Sequence, residues 1–439
     1  MAKKNMLTSS LSDVCYLVTD GTHDTPKTLK SGVPFIKAKE IVAGIIDFEN
    51  CEYISYEDHL KVIARSNPRK ADILFAHIGA SLGEAAFITT DKEFSIKNVA
   101  LFKPNPSKIN NRYLFYYVIS PRFQNEIKNC RTGSAQPFVS LEFLRNHQIE
   151  YHADLKTQRK IASILSVYDD LIENNTRRIK ILEEMAQAIY REWFVNFRFP
   201  GHEKVKMVEI PVETCHGMSL QQNRIPDGWE VRRLGEVLKS IESGRRPKGG
   251  VGEIKEGVPS IGAENIIGLG KYDYSKEKYV SVDFFSQMKS GIVKHKDVLL
   301  YKDGAQIGRK TMFRDGFPHD NCCINEHVFI LRMREEVYQN YLYFWLDQDW
   351  MTEKIKNLNA NAAQPGINQE GVKSLPILIP PYELGSKFDN LIEPLLDQLF
   401  TVAKKQQILQ RTRDLILPKL ISGEIDVEEL DIVTGGVIE

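Results

Sequence analysis

The chain has 439 residues, 42% of them hydrophobic and 26% charged, with 58 Lys and Arg against 58 Asp and Glu. That length predicts two or three soluble domains with sizeable cores. No apolar run approaches the ~18–20 residues of a membrane span, the start MAKKNMLTSSLSD lacks the apolar stretch of a secretory signal, and six scattered cysteines without a CxxC argue against a disulfide framework or zinc site and for a reducing cytoplasm.

Residues 1–153 read as a β-rich domain. The stretches VPFIKA (33–38), DILFAHI (72–78), FITT (87–90) and NVALFK (98–103) are short, rich in β-branched and aromatic residues, and punctuated by Gly, Asp, Asn and Pro. One helix is expected over residues 111–127. After Asp154, residues Ile161, Leu165, Tyr168, Ile172, Asn175, Ile179, Leu182, Ala186, Ile189 and Trp193 recur alternately four and three apart, the seam of a coiled-coil helix over 154–198 with one polar position. Residues 199–225 lack periodicity and read as a linker. A second β-rich domain, 226–380, contains VPSIGA (258–263), DVLLYK (297–302) and HVFILRM (327–333), with one helix expected over 339–355. A second seam follows over 381–422 at Phe388, Ile392, Leu395, Leu399, Val402, Gln406, Leu409, Arg413, Ile416 and Leu420. Pro394 means that this helix is kinked or begins there. Residues 423–439 form an acidic tail with six acids and no base, leaving 58 bases against 52 acids before it. That mild excess permits a nucleic-acid partner without requiring one.

The two halves are copies. Gly32-Val33-Pro34 recurs as Gly257-Val258-Pro259, and at the same offset of 225 Ile36, Ala38, Ile41, Asp72, Leu74, Gly79, Ala80 and Gly83 match Ile261, Ala263, Ile266, Asp297, Leu299, Gly304, Ala305 and Gly308. At an offset of 228, Tyr113-Leu114 matches Tyr341-Leu342 and Ala135-Gln136-Pro137 matches Ala363-Gln364-Pro365. The fold class is therefore α+β: a tandem duplication of a β-rich domain, each copy followed by a long helix. If the helices pair antiparallel with full overlap, Asn175 faces Gln406 as an amide pair, Val402 faces Ile179, and Arg413 sits by Tyr168, at its ring face or outside the seam.

Catalytic signatures are not found. There is no Walker A loop, and the Gly79–Gly83 and Gly304–Gly308 segments are Gly-x-x-x-Gly turns rather than the G-x-G-x-x-G of a nucleotide cofactor site. Ile379-Pro380-Pro381-Tyr382 replaces with Ile the hydrogen-bonding first residue of an amino-methyltransferase loop and reads as a domain-to-helix connection. A nuclease-like pattern from Pro226-Asp227 and Glu253-Ile254-Lys255 reads as accidental, with Asp227 in a turn. The histidines show no metal spacing, and Cys322-Cys323 read as half-buried core.

The ordered set of DGTHDTPK (20–27), GVPFIKAKEI (32–41), GSAQPFVS (133–140), QRKIASILSVYDDLIENNTRRI (158–179), IPDGWEVRRLGEV (225–237), GVPSIGAENI (257–266), NAAQPGIN (361–368) and LILPKLISGEIDV (415–427) resembles the specificity subunits of type I restriction–modification systems over nearly the whole length. The resemblance implies two target-recognition domains, each reading half of a split double-stranded DNA sequence. It implies two helices that pair antiparallel, act as a ruler and dock two methyltransferase subunits, and through them two restriction–translocase subunits. It also implies that the chain itself is not an enzyme and needs no cofactor, metal or membrane. Pro394 and the polar seam residues Gln406 and Arg413 depart from a regular second helix.

Sequence readers must present polar side chains on preset loops to base edges. Where the copies differ within the shared frame, the candidates are Thr22, His23, Asp24, Lys37, Lys39, His77, Ser81 and Arg131 in the first copy. In the second they are Arg245, Arg246, Lys248, Glu264, Asn265, Lys302, Asp303, Gln306, Arg309 and Lys310. The matched Gln136 and Gln364 are expected to cap a turn or hold phosphate, since identical residues cannot distinguish two half-sites. Two alternatives stay open on the residues alone: a DNA methyltransferase or nuclease with an unfamiliar active site, and a coiled-coil scaffold that binds no DNA.

Overall fold

The computed structural model describes residues 5–42, 44–130, 137–210, 224–252, 254–358 and 366–432. It forms two units, one made of Met1–Ile172 with Leu409–Glu439 and the other of Glu173–Ile408.

Each unit is built on the same two sheets. In the first, a four-stranded antiparallel sheet has the order Cys15–Asp20, Ala100–Pro104, Ile73–Phe75, Ala85–Phe87. In the second, Leu238–Ser243, Val328–Met333, Asp297–Tyr301 and Lys310–Phe313 repeat that order. The central strands read as continuous apolar runs because both faces are covered. Phe75 and Phe102 pack into one core and Leu74 and Leu101 into another, as the alternation of a strand requires. The smaller sheet places Val33–Ile36 antiparallel to Glu52–Ile54 and parallel to Ser95–Ile96. Its counterpart places Val258–Ile261 antiparallel to Tyr279–Val280 and parallel to Cys323–Ile324. Cys322 and Cys323 are fully buried, and burial pushes both thiols up, Cys323 to about 11.

Two helical expectations need correction. The stretch 111–127 is two helices, Asn111–Ile119 and Pro121–Cys130. Ser120 is extended (ψ 147°), since a residue before proline is pushed out of the helical region, and Pro121 opens the next helix where no N–H is needed. The second copy also splits, into Gln339–Leu346 and Asp349–Asn357, with Gln348 extended between them. Nor is 199–225 featureless: Met207–Glu209 pairs with Arg224–Pro226, and Phe199 is buried with its ring 5.5 Å from that of Trp229.

The long helices are Leu155–Tyr190 and Tyr382–Ile421. Asp154 caps the first by accepting the Thr157 N–H at 3.0 Å. The second runs through Pro394, which excludes a start there. Seam residues Ile161, Leu165, Asn175, Ile179, Leu182 and Ala186 are buried, as are Phe388, Ile392, Leu399, Val402 and Leu420; Tyr168, Ile172, Ile189, Trp193, Leu395, Gln406, Leu409, Arg413 and Ile416 are half-buried. The helices run antiparallel within each unit. In the second unit Gln406 bonds Thr176 while Phe388 packs on Phe194 with ring centroids 4.8 Å apart. In the first, Arg413 pairs with Asp169 while Leu420 lies beside His152.

The expected amide pair does not form. Gln406 donates to Thr176 Oγ1 at 3.1 Å instead, and its own Oε1 is buried without a partner. Arg413 turns to the residue beside Tyr168 and off the seam positions. It bonds Asp169 Oδ1 at 2.8 Å, and the other carboxylate oxygen of Asp169 accepts from the Tyr116 hydroxyl at 2.6 Å. The β-rich part of the second unit is held to its helix through the fully buried Arg314, which reaches Glu393 at 2.7 Å and Asp397 at 2.6 Å. Asn340 donates to Asp389 and Glu393 beside it.

Candidate nucleic-acid interface

In both units the candidate residues sit on loops that leave one scaffold. Gly21 and Gly244 begin these loops under the same constraint. A Cβ on Gly21 would lie 2.1 Å from the Ile96 carbonyl oxygen, and one on Gly244 would lie 1.9 Å from that of Ile324. Thr22 and His23 follow the first glycine and Arg245 and Arg246 the second.

In the first unit His23 lies between two partners, with Nδ1 2.9 Å from Asn98 Oδ1 and Nε2 3.0 Å from the buried Asp20 carboxylate. Asp20 also pairs with Arg65. In the second unit the equivalent pair is ionic: Arg246 Nε lies 3.2 Å from Glu326 Oε1. Asn98 and Glu326 each stand two residues after a strand residue of the parallel pair, Ile96 or Ile324. The offset of 228 between them is the signal that could have marked them in the sequence.

The next loop is a 3-10 turn, Ala38–Glu40 in one copy and Ala263–Asn265 in the other. Lys37 pairs with Glu52 at 2.6 Å, and Lys39 is exposed at its tip. The Lys37 ammonium holds the Glu52 carboxyl below its usual range. Asn265 is buried: its Oδ1 accepts from Gly262 N–H and its amide donates to the Asp273 carbonyl. It is a cap inside the turn and does not reach the surface.

Two further candidates also lie inside the scaffold. His77 is buried with Nδ1 2.9 Å from the Val139 carbonyl, and burial lowers its pKa although Val139 and Asp20 favour the charged form. Lys310 is buried and donates to the Leu346 carbonyl and Thr352 hydroxyl; burial lowers its pKa against the pull of Asp347. Neither offers a charged group to a ligand. Lys302 is half-buried over the Phe329 ring, 4.8 Å from its centroid.

Ser81 and its counterpart Gln306 occupy equivalent hairpin turns. Glu84 N–H bonds the Ser81 carbonyl at 2.9 Å, and Arg309 N–H bonds that of Gln306 at 3.1 Å. Arg245, Arg246, Lys248, Gln306 and Arg309 are exposed. Arg131, Gln136, Glu253 and Gln364 lie outside the described residues. Among the described residues no group of three His, Cys, Asp or Glu could hold a metal, and no helix is long and apolar enough to cross a membrane. The Pro380-Pro381-Tyr382 run joins the strand Pro376–Ile379 to the second long helix, and Asp227 lies in a turn closed by Trp229 N–H to the Pro226 carbonyl.

A duplicated scaffold with unlike polar loops is the arrangement of a two-part reader, and the comparisons with known proteins agree. The type I restriction modification DNA specificity domain matches residues 3–184 and again 226–410. The chain belongs to that family. It is 26% identical over 321 residues to the type I restriction enzyme MjaIX specificity subunit of Methanocaldococcus jannaschii, covering 73% of this chain and 70% of that one. It is 24% identical to the putative MjaX specificity subunit of the same organism, covering 95% and 93%. The crystal structure of the type I restriction–modification S subunit from M. genitalium shares the fold, with a TM-score of 0.57 at 15% identity over 96% of this chain and 97% of that one.

Proposed function

We propose that the chain is the DNA-reading subunit of a type I restriction–modification assembly. Residues 1–153 and 226–380 each read one half of a bipartite double-stranded target. Helices 154–198 and 381–422 dock two methyltransferase subunits, through which two restriction–translocase subunits join. Adenine methylation, ATP hydrolysis and cleavage belong to those partners, in the cytoplasm. The chain itself is not an enzyme.

The observation that carries this reading is the repetition of one scaffold with unlike loop chemistry: His23 against Asn98 in one copy, Arg246 against Glu326 in the other. A structural repeat has no need to change these residues, whereas two different half-sites do. The readers are the exposed His23 and Lys39 with the half-buried Thr22 and Ser81 in one copy, and the exposed Arg245, Arg246, Lys248, Gln306 and Arg309 in the other.

Methylome sequencing of a host expressing the chain with its methyltransferase tests the reading. The expected result is one methylated sequence made of two specified parts around an unspecified spacer. Methylation without sequence dependence, or methyl transfer from labelled adenosylmethionine by the purified chain alone, would overturn it.

A further inference from the structure

Positions 39 and 264 occupy the same place in the two copies, as the middle residues of the 3-10 turns Ala38–Glu40 and Ala263–Asn265. Each turn is closed by its third side chain. Glu40 Oε2 accepts from Lys37 N–H at 3.0 Å, and Asn265 Oδ1 accepts from Gly262 N–H at 3.0 Å. The strand that faces each turn is equivalent too. Glu52 is the register partner of Phe35, and the Lys278 carbonyl accepts the N–H of Ser260, which stands where Phe35 does in the first copy.

On this common backbone the charges are reversed. In the first copy Lys39 lies on the turn, its Nζ 3.3 Å from Glu40 Oε1, and the carboxylate lies on the strand, where Glu52 Oε1 is 2.6 Å from Nζ of Lys37, the residue that precedes the turn. In the second the carboxylate lies on the turn and the lysine on the strand, with Lys278 Nζ 2.6 Å from Glu264 Oε1. Burial works against ionisation of Glu264, but Lys278 and the residue's own backbone N–H, with a smaller part from His327, outweigh it and hold the carboxyl below its usual range.

The fold does not account for the reversal. A partly exposed ion pair contributes little in either orientation, and the turn caps itself the same way in both copies. What changes is hydrogen-bond sense: an ammonium only donates and a carboxylate only accepts. In the major groove, donors suit guanine O6 and N7, and a carboxylate accepts from the cytosine amino group. The geometry points to the two turn tips as readers of equivalent base pairs with opposite polarity, Lys39 taking a guanine in one half-site and Glu264 the amino group of a cytosine in the other. This rests on the reading of the chain as a two-part DNA reader.

The test uses the full chain with its methyltransferase subunits. Binding is measured by fluorescence anisotropy on duplexes in which each base pair of the target is varied singly. Glu264→Gln removes the charge and keeps the shape. The pair Glu264→Lys with Lys278→Glu keeps the ion pair and gives the second copy the polarity of the first. The expected result is a loss of discrimination of about tenfold or more at one C·G pair of one half-site with Glu264→Gln. The double variant should shift that position toward guanine, and Lys39→Glu should act at one pair of the other half-site only. Unchanged discrimination at every pair in folded variants, or an even loss across both half-sites, overturns the inference. A wild-type complex that shows no bipartite preference instead refutes the function on which it rests.

Discussion

Gln406 gives its side-chain N–H to the hydroxyl of Thr176 at 3.1 Å and leaves its own carbonyl oxygen buried without a partner. A half-satisfied amide is costly, because a buried acceptor without a donor forfeits its hydration. Thr176 is exposed, so its hydroxyl regains water if the amide is removed. Gln406→Leu is therefore expected to stabilise the second unit by about 1 kcal/mol. Urea unfolding checks this: the midpoint should rise with an unchanged slope, and a lowered midpoint would show that the single hydrogen bond outweighs the buried oxygen.

Arg314 is a second polar group inside the second unit, this one charged and paired with two carboxylates. Its guanidinium is fully buried between Glu393 and Asp397 on the helix. Arg314→Met should cost about 2 kcal/mol through the lost charge-assisted hydrogen bonds, since Glu393 keeps Lys296 and Asp397, more than half exposed, regains water. All four tryptophans, Trp193, Trp229, Trp345 and Trp350, lie in this unit. Tryptophan fluorescence during urea unfolding reads the loss directly, and a variant as stable as the parent would refute a supporting role for the network.

Acid should weaken the first unit before the second. His59, His77 and His147, all in the first unit, have pKa values lowered from 6.5, in each case chiefly by burial. Their folded state prefers the neutral ring, so the unfolded chain takes up the proton first. The stability they contribute is present above about pH 6.5 and is lost as pH falls below it. Between pH 7.5 and 5.5 the midpoint followed by circular dichroism should move below that followed by tryptophan fluorescence. Midpoints that fall together would count against this.

Gly244→Ala should destabilise the second unit by about 3 kcal/mol, because the added Cβ would lie 1.9 Å from a backbone oxygen that cannot move without breaking the sheet. Gly252→Ala is the matched control, with nothing within 4 Å of the new atom, and should change stability by less than about 0.5 kcal/mol. Equal melting temperatures for the two variants would refute the close approach.

The duplication was legible because glycines and prolines at fixed spacing mark backbone geometry, and the registers of Val33 with Ile54 and Val258 with Val280 reproduce it. The seams were legible as periodicity. The break at Ser120 was available in Pro121 and was missed because the apolar run continues through it. Asn265 and Lys310 read as surface readers because polar residues in loops usually face water. Their burial depends on partners at Asp273 and Leu346 that local sequence does not reveal. The partner of Gln406 turned on which of two adjacent residues, Asn175 or Thr176, its amide reaches, a distinction finer than a seam count.

The first unit is assembled from both ends of the chain: Leu417, Leu420, Ile421 and Val427 lie in the same core as Tyr113 and Ile161. The second unit is one uninterrupted stretch, Glu173–Ile408. On the ribosome this reverses the usual order. The recognition domain translated first must wait for residues past 409, on the order of tens of seconds at about 5–20 residues per second, with the apolar face of its helix uncovered, while the later one completes its fold. A released chain ending at residue 408 would hold every residue of the second unit and only part of the first.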